Sequence, residues 1–103
     1  MNRDTDIPNV LAIAGVDPSG GAGVLADVKT ISALGAYDCG VVAALTAQNT
    51  RAVAGVSPVA PPFVAQQIDT LFADVAIAAV KIGMLGQAGV ITTVADRLAH
   101  WQA

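Results

Sequence analysis

The sequence contains Ile13-Ala-Gly-Val-Asp-Pro-Ser-Gly-Gly-Ala-Gly23, followed directly by Val24-Leu-Ala-Asp-Val-Lys-Thr30. The apolar run that ends at Ala14 predicts a strand, and the apolar spacing after Gly23 predicts a helix. The glycines between them permit positive φ angles and close backbone approaches that a Cβ would block. A strand, a glycine loop and a helix N-terminus in series gather several backbone N–H groups around a small concavity, so we expect a ligand site here.

The helix after this loop places one acid on its apolar side. At 100° per residue, its apolar positions form one stripe: Val28, Ile31 and Leu34. Asp27, at about −60° from Val24, falls inside that stripe. Burying an unpaired carboxylate costs several kcal/mol, and the helix N-terminus offsets only about 0.3–1 kcal/mol of this. We therefore expect Asp27 to accept hydrogen bonds, either from the glycine loop or from a ligand hydroxyl or amine. The alternative is a carboxylate that only braces the loop.

The rest of the chain continues the alternation of strands and helices. The predicted elements are a buried strand at 40–45, a polar loop at 46–50, an irregular crossing with at most one small strand at 52–60, a helix after Pro61 and Pro62, a strand at 78–82 and a helix from about Ala88. The two later helices carry apolar stripes, formed by Val64, Ile68, Leu71, Phe72 and Val75 and by Val90, Ile91, Val94, Leu98 and Trp101. This order predicts an α/β fold with a mainly parallel sheet and flanking helices.

Unusual residues follow all three predicted parallel strands: the glycine loop, residues 46–50 and residues 83–86. Ligands of open α/β sheets bind beyond the carboxyl ends of the strands, so we expect one site at this edge. Gln48 can present paired donor and acceptor groups to a heterocycle, and Met84 can contact an aromatic ring. Either residue alone fits an ordinary loop or packing role equally well, but their joint position favours a ligand.

Composition restricts the class of protein. The chain has 103 residues, 54% hydrophobic and 13% charged, which fits one small buried-core domain. A net charge of −3 without a basic cluster argues against nucleic acid as a partner, and no apolar run is long enough for a membrane span. The polar, acidic residues 1–6 resemble neither a signal nor a transit peptide, and Cys39 is the single cysteine, so we expect a cytoplasmic location. The scattered aspartates and the lone His100 show no metal-ligand spacing, so no metal site is predicted.

Two familiar glycine-loop types fit poorly. A Walker A loop needs a lysine directly after its last glycine, and none follows here. A dinucleotide fingerprint can be forced onto residues 21–26, but the ribose-binding acid expected at the end of the second strand is missing. The loop therefore belongs to another kind of site.

Five segments match a known family in order and spacing over nearly the whole chain. They are the glycine loop at 13–23, Ala26-Asp-Val-Lys-Thr30, Ser32-Ala-Leu-Gly-Ala-Tyr37, Ala44-Leu-Thr-Ala-Gln-Asn-Thr50 and Lys81-Ile-Gly-Met-Leu85. The sequence resembles the hydroxymethylpyrimidine/phosphomethylpyrimidine kinases of thiamine biosynthesis, which belong to the ribokinase-like superfamily. The resemblance implies the N-terminal part of a ribokinase-like three-layer fold. It also implies ATP-dependent phosphorylation of 4-amino-5-hydroxymethyl-2-methylpyrimidine and then of its monophosphate, with Mg²⁺ assisting.

The resemblance also implies which residues bind the substrate. Gly15, Asp27, Gln48 and Met84 match positions where the family lines its pyrimidine pocket. Residues 1–103 correspond to the substrate side of a single kinase domain, whereas the family's nucleotide pocket and catalytic residue lie in a C-terminal half. We therefore assign no catalytic residue, assign no ATP or Mg²⁺ ligands, and expect these residues to be inactive alone. Homodimers are common in the family, so a homodimer is expected of the full-length enzyme.

Two alternative functions stay open at this stage. Pyridoxal or pyridoxine kinases of the same superfamily also act on hydroxymethyl-bearing heteroaromatic rings, although 47–49 and 83–84 favour the pyrimidine enzyme. A protein of another class, which binds a pyrimidine without phosphorylating it, is the second alternative.

Overall fold

A computed structural model describes residues 7–102, which form a four-stranded sheet with helices on both faces. The elements in chain order are β1 (Asn9–Val16), α1 (Gly23–Ala33), β2 (Tyr37–Gln48), β3 (Val53–Pro58), α2 (Pro61–Phe72), β4 (Ala79–Ile82) and α3 (Ala88–Trp101). The strand order is β3-β2-β1-β4, with β1 parallel to both β2 and β4 and β3 antiparallel to β2. The predicted mainly parallel α/β sheet is confirmed, whereas the expectation for residues 1–6 lies outside the described residues.

Strand β2 differs from its prediction. It was expected at 40–45 with a polar loop at 46–50, but it spans Tyr37–Gln48. The loop prediction is wrong for residues 46–48, because β3 folds back and pairs with them: Thr46 lies opposite Val56 and Gln48 opposite Val53. The small strand expected within 52–60 is β3. Its antiparallel pairing gives the polar end of β2 a regular strand conformation that its composition alone does not indicate.

The main hydrophobic core lies between the sheet and the helices α2 and α3. Leu11 and Ile13 of β1 pack there with buried residues of the other elements, namely Val41, Ala43, Val64, Ile68, Val90 and Val94. The alternate residues of β1, Ala12 and Ala14, face the other side of the sheet, because strand side chains alternate between faces. Helices therefore cover both faces, and the domain has three layers.

Helix α1 packs closely on the second face because the strands carry small residues there. Gly40, the register partner of Ala12, would place a Cβ only 2.9 Å from Val24 Cγ1 of α1. That distance is shorter than Cβ contacts in real proteins, so the helix position depends on the missing side chain. The packing fixes α1, and with it the glycine loop, against the carboxyl ends of β1 and β2.

Two predicted core positions are wrong. Ile91 is 52% exposed, because Val90 and Val94 occupy the side of α3 that faces the core. Leu34, the C-cap residue of α1, is 80% exposed. Gly35 after the helical pattern predicts the end of α1, and this is confirmed, since Gly35 follows the C-cap residue Leu34, has a φ of +87° and donates its N–H to the Ser32 carbonyl. Within the described residues, no helix is both long and apolar enough to cross a membrane.

A glutamine side chain occupies the outer edge of β2 where β3 does not reach. Gln67 of α2 accepts a hydrogen bond from the Val42 N–H and donates one to the Val42 carbonyl, both at 2.9 Å. One side-chain amide thus satisfies both backbone groups of an edge residue, as a neighbouring strand would.

We expect Gln67→Ala to lower the free energy of unfolding by about 1–3 kcal/mol, since two partly buried hydrogen bonds are lost together. Urea denaturation of the variant and the wild type measures this. Gln66→Ala is the matched control, because Gln66 is an exposed neighbour on the same helix. Equal effects of the two substitutions would show that the bonds to Val42 do not stabilise the fold.

A polar cluster joins α2 to α3. Asp69 Oδ1 accepts hydrogen bonds from Trp101 Nε1 and Arg97 Nε, both at 2.9 Å, and the Trp101 ring stacks on Phe72 at a centroid distance of 5.7 Å. The hydrogen bond from Trp101, followed by the bond and charge of Arg97, lowers the pKa of Asp69 below its usual 3.8. The carboxylate form therefore favours the folded state.

This pKa shift predicts a pH-dependent contribution to stability. A lowered folded-state pKa stabilises the protein above the unfolded-state value, and the gain disappears as the pH falls through the folded-state pKa. We expect Asp69→Asn to cost roughly 1 kcal/mol at pH 7, because the 40% exposed side chain is screened by water, and clearly less near pH 3. Chemical denaturation at both pH values tests this, with the exposed Asp74→Asn as control. A cost that is the same at both pH values would contradict the proposed role of the carboxylate.

Candidate functional site

A cavity of about 660 Å³ lies at the carboxyl ends of the parallel strands. Its walls come from the end of β1, the glycine loop, the ends of β2 and β3, and the segment 83–87 after β4. Gly15, Gln48 and Met84 are among its lining residues. The structure therefore brings together three of the four residues that the sequence singled out, and their roles as ligand contacts stay predictions.

These three residues occupy different parts of the cavity. Gly15 lies beside β2, where a Cβ would be 3.5 Å from the Ala44 carbonyl oxygen. Gln48 is half-buried at the end of β2, and Met84 is 88% exposed at the opening. The cavity thus offers an amide on one strand and an exposed apolar side chain at Met84.

Asp27 does not line the cavity. Its two carboxylate oxygens accept hydrogen bonds from Lys81 Nζ at 2.9 and 3.0 Å, and the side chain is only 16% exposed. Its donor in the structure is a lysine of β4 and not the glycine loop, and the expected contact between Asp27 and a ligand stays a prediction. Lys81 itself does line the cavity. A lysine within the apolar strand 79–82 was the sequence signal for this pair, since a charge on such a strand needs a counterion.

The glycine loop is held from within by Asp17, which the sequence analysis did not single out. Asp17 is 5% exposed, and its Oδ1 accepts hydrogen bonds from the Ser19 hydroxyl at 2.7 Å and the Ser19 N–H at 2.9 Å. The hydroxyl of Ser19, together with the backbone N–H groups of Ser19, Gly21 and Ala22, lowers the pKa of Asp17 despite its burial. One donor of the loop, the Ser19 N–H, is therefore bonded to the loop's own carboxylate, and the expected contact between the loop and a ligand stays a prediction. The spacing of Asp17 and Ser19 is that of an Asx turn, which is the signal that could have revealed this.

A close backbone approach joins the two ends of the loop. Val16 and Gly23 form an isolated antiparallel bridge, and Gly23 has a φ of +65°. A Cβ on Gly23 would overlap the carbonyl oxygen of Gly15. Only glycine therefore fits at the first residue of α1, and the shape of the cavity beside Gly15 depends on it.

We expect Gly23→Ala to destabilise the protein by at least about 2 kcal/mol more than Gly35→Ala. Both glycines have positive φ, but a Cβ on Gly35 would meet nothing within 4 Å, so that variant measures backbone strain alone. Urea denaturation of both variants isolates the steric contribution. Equal losses would show that the contact between Gly23 and Gly15 does not constrain the loop.

Thr46 connects the loop to Gln48. Its hydroxyl donates a hydrogen bond to the Val16 carbonyl at 2.8 Å, and the same oxygen lies 3.1 Å from Gln48 Oε1. Thr46 therefore ties the end of β2 to the end of β1. Sequence reasoning placed Thr46 in a loop and gave it no role.

The described residues do not fit a metal site. Among residues 7–102, no three His, Cys, Asp or Glu side chains lie close enough together to hold a metal ion. No residue of this part of the chain is therefore assigned to Mg²⁺.

The three-layer sheet, with a ligand-sized cavity at the carboxyl ends of its parallel strands, places the chain among ribokinase-like small-molecule-binding folds. The crystal structure of phosphomethylpyrimidine kinase from Clostridium difficile 630 superposes with a TM-score of 0.89 at 41% identity, over 92% of this chain and 41% of that one. Pyridoxal kinase from Staphylococcus aureus, in complex with AMP-PCP and pyridoxal, gives a TM-score of 0.81 at 29% identity, over 93% of this chain and 36% of that one.

The sequence comparisons specify the family. Residues 17–103 match the family described as phosphomethylpyrimidine kinase, and the chain belongs to that family. Hydroxymethylpyrimidine/phosphomethylpyrimidine kinase of Escherichia coli is 56% identical over 94 residues, which cover 91% of this chain and 35% of the relative. The chain thus spans about a third of the length of that curated relative.

Proposed function

We propose that the chain forms the substrate-binding part of a kinase that phosphorylates 4-amino-5-hydroxymethyl-2-methylpyrimidine and its monophosphate in thiamine biosynthesis. The observation that carries this proposal is the cavity lined by Gly15, Gln48 and Met84 in a chain that matches the family over residues 17–103. A volume of about 660 Å³ is ample for a single substituted pyrimidine ring.

The lining residues suit an aminopyrimidine. The Gln48 amide carries a donor and an acceptor, which match the amino group and the adjacent ring nitrogen of such a heterocycle. The Met84 thioether packs against aromatic faces, and Gly15 leaves space for the ring beside β1.

The phosphoryl donor in this proposal is ATP. Support comes from the family name and from the Staphylococcus aureus relatives, whose structures are complexes with AMP-PCP and with ADP. The residues described here hold the acceptor substrate, and no step through Mg²⁺ is derived from them. A cytoplasmic location and a homodimeric full-length enzyme are parts of the same proposal.

Pyridoxal kinase is the second candidate. The Staphylococcus aureus enzyme that resembles this chain at a TM-score of 0.81 is itself a complex with pyridoxal. Pyridoxal also carries a hydroxymethyl group on a heteroaromatic ring. Its ring nitrogen has no amino group beside it, so it does not offer the donor and acceptor pair that a glutamine amide matches. Gln48 is therefore the residue that separates the two functions.

Isothermal titration of the protein with hydroxymethylpyrimidine and with pyridoxal tests the proposal. We expect the pyrimidine to bind the more tightly, and Gln48→Ala to weaken it by about tenfold or more, because one side chain supplies two hydrogen bonds. Gln66→Ala removes an amide that is exposed on α2 and should leave binding unchanged. Preference for pyridoxal in the wild type would instead support the second candidate.

A further inference from the structure

The cavity is lined by a lysine, Lys81, that has no role in the proposed hydrogen bonds between the Gln48 amide and the pyrimidine. Within the described part of the chain, two of its lining residues are charged, Asp17 and Lys81. The Asp17 carboxylate is buried under the glycine loop and bonded to it. Lys81 is 55% exposed, so its ammonium group is the charged group that a ligand in the cavity can reach.

We propose that Lys81 binds an anionic oxygen of the substrate, namely the phosphate ester of the phosphomethyl form, and that Asp27 acts through Lys81 as a positioning residue. The inference rests on the proposed function, because that function supplies both a neutral alcohol and its phosphate ester as ligands. In this proposal the Lys81 ammonium group distinguishes the phosphate ester from the neutral alcohol.

Small residues direct the Lys81 side chain along the sheet toward the cavity. Lys81 is the register partner of Ala12, so both side chains lie on the α1 face. Two residues further along β4, a Cβ on Gly83 would lie 2.9 Å from Ala14 Cβ and 3.7 Å from Lys81 Nζ. The missing side chain at Gly83 therefore leaves room for the ammonium group beside the carboxyl end of β1.

Asp27 orients this ammonium group without using all of its donors. An ammonium group has three N–H bonds, and the carboxylate oxygens of Asp27 accept at 2.9 and 3.0 Å. At least one N–H is left for a ligand. Asp27 itself is 16% exposed and does not line the cavity, so its contact with Lys81 is better supported than a direct contact with substrate.

Two other donors beside the glycine loop are already bonded within the protein. The Ser19 N–H is bonded to the Asp17 carboxylate at 2.9 Å, so the loop does not offer that donor to a phosphate. Lys29, a cation beside the glycine loop, donates to the Gly20 carbonyl at 3.0 Å and lies outside the cavity lining. Among the described residues that line the cavity, Lys81 is the one cation, so we assign the charge of a phosphate to it.

Calorimetric titration of wild type and variants with the hydroxymethyl and the phosphomethyl pyrimidines tests the inference. We expect Lys81→Met to weaken binding of the phosphate ester by about tenfold to a hundredfold, as for a lost charge-assisted hydrogen bond. Binding of the alcohol should weaken by less than about threefold. Lys29→Met is the matched control, since it removes an equal charge from outside the cavity. Equal weakening of both ligands by Lys81→Met, or an equal effect of Lys29→Met on the ester, would overturn the proposal.

A double-mutant cycle tests the role given to Asp27. Asp27→Asn should weaken binding of the ester in the wild-type background. It should have little effect on that binding in the Lys81→Met background, because the Asp27 carboxylate acts through the lysine. Loss of alcohol binding in Asp27→Asn whether or not Lys81 is present would instead identify Asp27 as a direct ligand contact.

Two further measurements keep the test decisive if Lys81→Met, which leaves Asp27 unpaired, does not fold. Lys81→Arg keeps the charge, so its affinity for the ester should lie within about fivefold of the wild-type affinity. In the wild type, added salt should weaken binding of the ester and leave binding of the alcohol unchanged, because only the ester carries a charge that salt can screen. The same salt response for both ligands would overturn the role of Lys81, whereas binding of neither ligand would contradict the proposed function itself.

Discussion

The cavity depends on how closely α1 lies against the sheet. Val24 sits over Gly40, and the first residue of the helix, Gly23, touches the backbone of Gly15. The small side chains of Ala12 and Ala14 on the strand beneath the helix allow α1 to approach the sheet closely. Because these positions lack large side chains, the helix N-terminus, the glycine loop and the ends of two strands meet within one small region. A larger side chain at Gly40 or Gly23 would push α1 outward and separate the walls of the site.

Most polar groups around the cavity are satisfied within the protein before any ligand arrives. Asp17 is bonded to the N–H and hydroxyl of Ser19, Thr46 is bonded to the Val16 carbonyl, and Asp27 is bonded to Lys81. Such internal bonds fix the shape of the site at little cost on binding, since few groups must be reordered. They also restrict which side chains can contact a substrate, and Gln48, Met84 and Lys81 are the principal ones left.

Sequence patterns predicted the parts of this structure that depend on local spacing. The helices α2 and α3, the end of α1 before Gly35 and the meeting of three strand ends at one edge all follow from periodicity and from strand order. Patterns failed where a partner distant in the chain decides the outcome. The helical angle of Asp27 showed that the carboxylate needs donors, but its donor lies 54 residues away on β4. Residues 46–48 read as a loop because the pairing with β3 is not visible in their composition.

The bond pair between Gln67 and Val42 also limits the width of the sheet. Beside residues 37–43 of β2 the sheet has an open edge, and such edges can recruit strands from other molecules. At Val42 both backbone groups are already bonded to a side chain, and the Ala43 carbonyl accepts from the Val59 N–H. A strand arriving at this edge would lose the ladder bonds at two successive residues. Gln67 on α2 thus occupies backbone groups that a strand from another molecule would need at this edge, and the charged residue Asp38 within the strand adds to that protection.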